Sequence, residues 1–164
     1  MNPKVRDAVQ AAIDRCFQMN ALCDRMMYIM KSQWNLSIFA DKFHHEIAHA
    51  YPAIADDLSD ILLAEDEDVT RGAVEAQMQS YASITAMMEE YKAAALETRR
   101  IIGEAYYKAF DNAEPGAAAL VADVLEDYQE GMVGQAFLLA GKIKQYNDSY
   151  AQIDKDAFVF FAEK

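Results

Sequence analysis

All three histidines of this chain lie within six residues of one another, at His44, His45 and His49. On an α-helix, residues four apart share a face, and the same face returns after eleven and fifteen residues. A helix through this segment therefore aligns two imidazoles with two carboxylates. Imidazole and carboxylate groups are competent ligands for first-row transition metals. The predicted row of ligands, called the ligand ridge below, consists of His45, His49, Asp56 and Asp60.

An iron site inside a helical bundle is the other metal chemistry to consider. Such sites take a Glu from each of two helices and a Glu-x-x-His motif from each of the other two. Glu46 and His49 supply one such motif, but no histidine follows in the rest of the chain to supply a second. At about 100° per residue, His45 lies opposite Ile54, which belongs with Ala50 to the predicted core line of the second helix. We therefore expect the ligand ridge to face away from its own bundle, as a metal site or as an ordinary solvated face.

Four long helices are expected to position these residues. With only 3 prolines and 6 glycines in 164 residues, the sequence has few of the turn-forming residues that separate the strands of strand-rich folds. Apolar residues recur every three or four positions, which indicates an all-α, up-and-down four-helix bundle. We expect Pro52 to kink the second helix. The predicted helices span roughly 3–33, 39–65, 73–110 and 115–147, with a tail over 148–164, in a single domain covering 1–164.

Three groups of apolar residues bear on packing and assembly. The first predicted helix carries a second apolar strip beside its core stripe, and the tail ends in four consecutive apolar residues. The strip and the tail carry more apolar surface than one bundle core can bury. This surplus predicts a homo-oligomer, either a dimer or a shell of dimers. The tail is expected to dock on the bundle or on a neighbour. The residues concerned are Leu22, Met26 and Ile29 in the strip, Phe158, Val159, Phe160 and Phe161 in the tail, and Val74 and Met78, which are expected on the core stripe at the start of the third helix.

Composition excludes several classes of partner. A net charge of −12 argues against binding to nucleic acid, because an acidic surface repels phosphates. No apolar run approaches the roughly 20 residues of a membrane span. Cys16 and Cys23 lie seven residues apart on one predicted helix, about 10 Å along its axis, and cannot form a disulfide there. We therefore expect reduced thiols and a cytoplasmic protein.

Short stretches spread over most of the chain carry a family resemblance. Gln33-Trp34 closes the first helix, where the family has His-Trp, and Asp41-Lys42-Phe43 opens the second. The chain resembles the Dps-type miniferritins of the ferritin-like superfamily. Further similar stretches are Leu62-Leu63-Ala64, Tyr81-Ala82-Ser83-Ile84-Thr85, Glu89-Glu90-Tyr91-Lys92, residues 120–129 and Gln135-Ala136-Phe137-Leu138.

The resemblance implies a ferritin-like bundle that assembles into hollow shells and oxidises ferrous iron at sites shared by two subunits across a twofold axis. In that family one subunit gives two histidines, and the other gives an Asp-x-x-x-Glu pair. Here Gln33 replaces the first-helix histidine, and the carboxylate pair corresponds to Asp56 and Asp60, or to Asp60 and Ala64 in another alignment. The resemblance thus implies a weakened intersubunit iron site with the ligands His45, His49, Asp56 and Asp60, and with Gln33 and Trp34 nearby.

The sequence therefore predicts a Dps-like miniferritin that binds and stores ferrous iron. It leaves open whether the weakened site also oxidises iron, as a ferroxidase-type enzyme would. The alternative, from a different class, is a ferritin-like oligomeric scaffold or partner-binding module without metal chemistry.

Overall fold

The computed structural model describes residues 1–161, and its four longest helical stretches pack as a bundle. The second and fourth stretches are each interrupted by one π-helical turn, and two short helices follow the bundle. None of the helices within residues 1–161 is long and apolar enough to cross a membrane. In chain order the elements are α1 (Pro3–Trp34), α2 (Ser37–Phe43), a π turn (His44–Ala48), α3 (Ala50–Ala64), α4 (Ile84–Asp111), α5 (Pro115–Tyr128), a second π turn (Gln129–Val133), α6 (Gly134–Gln145), α7 (Tyr150–Lys155) and α8 (Ala157–Phe160).

The predicted all-α four-helix bundle is confirmed. The core stripe of α1 is buried, and the apolar residues of all four bundle helices form one continuous core. Local signals fix the ends of α1. The side chain of Asn2 accepts a hydrogen bond from the Lys4 amide, and Pro3 occupies the first turn, where its missing N–H is not needed. Asn35 ends the helix in the left-handed conformation, with φ of 54°.

The third bundle helix starts later than predicted. It begins at Ile84 rather than near residue 73, and Ser83 caps it by accepting a hydrogen bond from the Ala86 amide. Residues 65–83, called the crossover below, carry no helix beyond the turn that ends α3. Val74 and Met78 are consequently exposed, Met78 to 83%, and the prediction that they belong to the core is wrong.

The crossover runs beside α1 from Gln10 to Arg25, and its course determines the directions of the helices. It contacts Gln10 through Thr70, Asp14 through Gly72, and Arg25 through Gln79, so it advances in the direction of α1. Helices α3 and α4 therefore run parallel to each other and antiparallel to α1. A strictly up-and-down order would have a short connection between antiparallel second and third helices. In this bundle one long crossover replaces it and makes them parallel, which is a known variation of the four-helix bundle.

The second apolar strip of α1 is buried within a single chain. Met26 and Ile29 are fully buried, and Leu22 packs half-buried against the core. Helix α1 packs against both α3 and α4 and is also accompanied by the crossover, so it buries more than one stripe. The expectation that this strip is left over for an oligomer interface is wrong.

The second bundle helix contains a π turn just before Pro52, the residue at which the sequence predicts a kink. Because Pro52 has no N–H, the carbonyl of Ala48 loses its intrahelical donor. The side chain of Asn20 replaces that donor at 2.9 Å. The π turn adds one residue to the helix just before this point, which rotates the following residues. The core line consequently passes through Tyr51 and Ala55, and the predicted core residues Ala50 and Ile54 are only half-buried.

The tail docks on the bundle through α7 and α8, as expected. Asp154 accepts hydrogen bonds from the amides of Ile38 and Phe39, both at 2.9 Å, and so caps α2. The rings of Phe160 and Phe161 each lie 5.3 Å from the ring of Phe39. Residues 162–164 of the predicted tail lie outside the described residues. The tail thus closes one end of the core, although Phe158 and Val159 remain exposed.

Candidate functional site

Three tyrosine hydroxyls meet in the interior of the bundle, one from each of three bundle helices. The hydroxyl oxygen of Tyr51 lies 3.2 Å from those of Tyr91 and Tyr128. Tyr128 donates to the carbonyl of Ala95 at 3.0 Å. Because Tyr128 uses its only proton there, Tyr51 donates to Tyr128 and Tyr91 donates to Tyr51. This tyrosine chain is fully satisfied, as buried polar groups in proteins generally are.

The phenols and thiols of the interior are neutral at physiological pH. Burial raises the pKa of Tyr51 and Tyr91 well above the ordinary value, and raises that of Tyr128 to about 12. Burial also raises the pKa of the Cys16 thiol to about 12, and that of Cys23 well above its usual range. The desolvation of a charged form in an apolar surrounding is the main cause in each case. None of these groups is therefore an anion that attracts a metal cation.

A guanidinium lies beside the same interior. Arg15 Nε donates to the hydroxyl of Thr98 at 3.0 Å, and one of its terminal nitrogens donates to the carbonyl of Ala94 at 3.1 Å. Thr98 is fully buried and itself donates to the carbonyl of Ala94. A positive charge held at this place opposes the binding of a cation inside the bundle.

The described interior does not fit a di-iron centre. Such a centre needs carboxylates from four helices, and the tyrosine chain, the thiols and Arg15 line the space instead. Glu46 and His49 of the single Glu-x-x-His motif are both exposed. Within residues 1–161 of a single chain, no group of three or more His, Cys, Asp and Glu side chains could hold a metal ion.

The three histidines form a cluster on the surface of the second bundle helix. The ring centres of His44 and His49 are 4.2 Å apart, those of His45 and His49 are 5.4 Å apart, and those of His44 and His45 are 5.7 Å apart. His45 and His49 are exposed, and His44 is partly buried. The Nδ1 atom of His44 lies 3.1 Å from a carboxylate oxygen of Asp24 on α1. We call these three side chains the histidine cluster.

The π turn explains why His44 joins the cluster. In an α-helix, residues five apart lie about 140° apart around the axis. In the π turn the amide of His49 donates to the carbonyl of His44 at 3.1 Å, and residues five apart come nearly into line. The backbone thus places His44 beside His49, which a regular α-helix would not do.

The carboxylates of the ligand ridge lie farther along the helix. Asp56 and Asp60 are exposed on α3, and Asp56 is about 10 Å along the axis from His49. A single chain therefore does not bring the histidine and aspartate halves of the ridge together. Gln33 is exposed near the end of α1, about 13 Å along that helix from Asp24. Trp34 stacks on Tyr150 with ring centres 5.2 Å apart.

An acidic groove runs between the second and fourth bundle helices. One part of it has a volume of about 470 Å³ and is lined by four aspartates. Partial burial and the neighbouring charges of Asp60, Asp56 and Asp127 raise the pKa of Asp57. Another part, of about 590 Å³, lies where the two π turns face each other and adds Glu46 and Glu130. The groove aspartates are Asp57, Asp60, Asp123 and Asp127.

Comparison with known proteins identifies the fold. No protein-family model and no curated protein matches the chain. An open-pore ferritin from the hyperthermophilic archaeon Archaeoglobus fulgidus superposes with a TM-score of 0.89 at 14% identity, over 100% of this chain and 98% of that one. The chain has the ferritin fold. An engineered closed form of the Archaeoglobus fulgidus ferritin (TM-score 0.89, 15% identity, 100% and 98% coverage) and a humanized archaeal ferritin (0.89, 12%, 100% and 99%) agree.

The likeness to these ferritins concerns the fold alone, since so few residues are identical. It supports the ferritin-like fold that the sequence resemblance implies and leaves membership of the Dps-type family a prediction. Sequence reasoning missed His44 as a member of the histidine cluster, and it missed Asp24 as the partner of His44. Pro52, which removes a helical donor four residues after Ala48, was the available sign that the helix is irregular here.

Proposed function

We propose that this protein is a homo-oligomeric, ferritin-like iron-binding protein whose iron is held on the outside of the bundle rather than within it. Ferrous iron is the cargo, and His45, His49, Asp56 and Asp60 are its ligands, as the resemblance to Dps-type miniferritins implies. One observation carries the proposal: these four residues are exposed together on one helix, while the interior is filled by neutral phenols and a guanidinium.

The separation between the two halves of the ridge supports a shared site. His49 and Asp56 are about 10 Å apart along one helix, too far for a common ion. Two copies related by a twofold axis, with their second bundle helices antiparallel, would place the histidines of one beside the aspartates of the other.

The replacement of a histidine by Gln33 predicts weak binding. A neutral amide oxygen is a poorer ligand for ferrous iron than an imidazole. We therefore expect the site to bind ferrous iron less tightly than a site with the histidine would. We also expect it to hold one iron ion where a complete site would hold two.

Anaerobic titration with ferrous iron tests the proposal, together with light scattering. We expect a mass well above the 18.4 kDa of one chain. Asp60→Ala and His45→Ala should each weaken the affinity for ferrous iron at least about tenfold. Neither substitution should lower the Tm of the metal-free protein. Asp111→Asn, an exposed carboxylate at the far end of α4, is the matched control. If both ridge variants bind ferrous iron as the wild-type protein does, the proposed site is wrong.

A scaffold without metal chemistry is the second candidate. The observation in its favour is that no three potential ligands within residues 1–161 are already arranged around one point. It predicts a stable oligomer that binds no ferrous iron at micromolar concentrations, with or without the ridge substitutions. Assembly and iron binding are therefore measured on the same preparation.

A further inference from the structure

A groove with a volume of about 650 Å³ runs between α4 and α5 on the outside of the bundle. One wall is formed by α4, and the other by α5 together with Gln129, the first residue of the second π turn. From Leu96 to Tyr107 the groove extends about 16 Å along α4, at a rise of about 1.5 Å per residue. Ligand sites in proteins commonly have volumes of about 300–1,000 Å³. The groove therefore has the size of a site for a small molecule.

Two small residues leave the space in this groove open. Gly103 lies in the middle of the α4 wall, and a Cβ atom added there would meet no atom within 4 Å. Glycine inside a helix lowers its stability, and no close contact with another helix accounts for Gly103. Ala122 is the small residue on the α5 wall. The groove is open because these two positions carry no large side chain.

Aromatic rings line one end of the groove. The ring centres of Tyr106 and Tyr107 are 5.4 Å apart, with the rings edge to face. Tyr106 is half-buried, and Tyr107 is 62% exposed. Leu125 adds aliphatic surface on the opposite wall. Aromatic rings pack edge to face or offset against one another, so this end of the groove fits a flat aromatic group.

The lining also carries one charge of each sign that forms no ion pair within residues 1–161. Arg99 donates to the neutral amide oxygen of Gln129 at 2.8 Å, which leaves most of its five N–H donors without a partner. Glu126 lies about one turn from Gln129 on the same wall and is exposed. A guanidinium binds carboxylates, and a carboxylate binds ammonium groups.

The other two charged residues of the lining are neutralised by their neighbours. Arg100 donates to both carboxylate oxygens of Glu97, at 2.9 and 2.7 Å. Lys108 lies 3.6 Å from a carboxylate oxygen of Glu104. The groove therefore presents one positive and one negative group to a ligand, beside an aromatic surface.

We propose that this groove binds a small zwitterion with an aromatic body, either an aromatic amino acid or an aromatic dipeptide. Arg99 binds its carboxylate, Glu126 binds its ammonium group, and its ring lies over Gly103 against Tyr106. A purely anionic ligand fits less well, because Glu126 and the net charge of −12 repel it. The groove shares no residue with the ligand ridge, so this inference does not rest on the proposed iron binding.

Titration of the intact protein with phenylalanine, followed by NMR of the ligand, tests the site. We expect a dissociation constant of about 1 mM, as for other ligands of this size. Phenylalanyl-phenylalanine is the second probe. Tighter binding of the dipeptide identifies a peptide as the ligand, and tighter binding of phenylalanine identifies a free amino acid.

Probes that lack one charge assign the two charged residues. Arg99→Gln should weaken phenylalanine binding about tenfold and should not weaken binding of phenylalaninamide, which has no carboxylate. Glu126→Gln should weaken phenylalanine binding about threefold and should not weaken binding of N-acetylphenylalanine, which has no ammonium group. A loss of folding would lower the binding of every probe alike, so this pattern separates direct contact from structural damage.

A variant that fills the groove gives the third measurement. Gly103→Leu should abolish binding of phenylalanine and of the dipeptide, because the added side chain occupies the open space. Gly141→Leu is the matched control, since Gly141 also lies inside a helix with open space around it and is outside the groove. Neither substitution should lower the Tm, because leucine favours helix more than glycine does.

Three results would overturn the proposal. They are wild-type protein that binds neither phenylalanine nor the dipeptide, equal affinity for phenylalanine and its two singly charged analogues, and binding that survives Gly103→Leu. Light scattering identifies the occupant in the first case. If Gly103→Leu then changes the mass of the oligomer and Gly141→Leu does not, the groove is a contact between copies of this chain.

Discussion

The polar groups on the inner face of the second bundle helix are hydrogen-bonded within the protein, whereas those on its outer face are exposed to solvent. On the inner face, the hydroxyl of Tyr51 lies within hydrogen-bond distance of two other phenols, and the chain of donors ends on a backbone carbonyl. On the outer face, His45, His49, Asp56 and Asp60 present imidazole and carboxylate groups to solvent. The same helix therefore carries a closed hydrogen-bond network on one side and free ligand atoms on the other.

This difference separates stability from binding. Buried polar groups must find partners inside the protein, or they cost free energy, so the tyrosine chain belongs to the energetics of folding. Exposed imidazoles and carboxylates lose little by staying hydrated and remain available to a metal. Substitutions on the inner face should therefore change unfolding more than metal binding, and those on the outer face should do the reverse.

Tyr51→Ala should have the largest effect on stability. The ring of Tyr51 is fully buried, so its removal leaves a cavity and two phenols without their shared partner. We expect a loss of about 3–5 kcal/mol in the free energy of unfolding, measured by urea denaturation. Tyr51→Phe keeps the ring and should cost less, about 1–3 kcal/mol, because only the hydrogen bonds are lost.

The phenylalanine variant also tests the separation of the two faces. Its ferrous iron titration should match that of the wild-type protein. If Tyr51→Phe keeps the helix content but loses metal binding, the interior takes part in metal binding and the comparison fails.

A double-mutant cycle at Asn20 and Pro52 should show an intermediate effect. Asn20→Ala leaves the carbonyl of Ala48 without a donor, at a cost of about 1–3 kcal/mol in the free energy of unfolding. Pro52→Ala restores a backbone N–H, so in the Asn20→Ala background it should recover about 1 kcal/mol. Urea denaturation of the wild type, both single variants and the double variant gives the coupling. Strictly additive effects would show that Asn20 does not stand in for the donor that Pro52 lacks.

Asp57→Asn should have the smallest effect and one that depends on pH. The pKa of Asp57 is raised in the folded state, so the folded protein holds this proton to a higher pH than the unfolded chain does. Its contribution to stability is present below the unfolded pKa and is lost as the pH rises through the folded pKa. Asparagine does not ionise, so the variant does not lose this stability. Its Tm should be about 1 °C above that of the wild-type protein at pH 7 and equal to it near pH 3.

Thermal melting across this pH range, with Asp111→Asn as the control, measures the effect. If the variant exceeds the wild-type protein in Tm by more at pH 3 than at pH 7, the pH dependence has the wrong sign. The acidic groove would then show no repulsion at Asp57.

The sequence predicted those parts of the fold in which the helix is regular. Val9, Ile13 and Cys16 fall on the buried stripe of α1 because an uninterrupted α-helix keeps one residue spacing over its whole length. Val74 and Met78 have the same spacing but lie in the extended crossover, since spacing alone cannot tell a helix from a segment that never forms one. Ser83, a favoured N-cap residue, marked the true start of α4.

The candidate site was predicted less well, because its geometry depends on an irregular turn. A constant 100° per residue places the core line through Ala50 and Ile54, whereas the π turn shifts it to Tyr51 and Ala55. The same assumption separates His44 from His49. Asp24 was not predicted as the partner of His44, because contacts between helices depend on the packing of the bundle rather than on spacing in one segment.

The crossover has a consequence for how this chain can be divided. Residues 74–76 are exposed and outside any helix, and such segments are the preferred sites of proteolytic cleavage and of tolerated insertions. A cut there separates the chain into two halves with two bundle helices each, while α1 of the first half still packs against α4 of the second. The bundle is thus suited to existing as two fragments that are held together by their shared core.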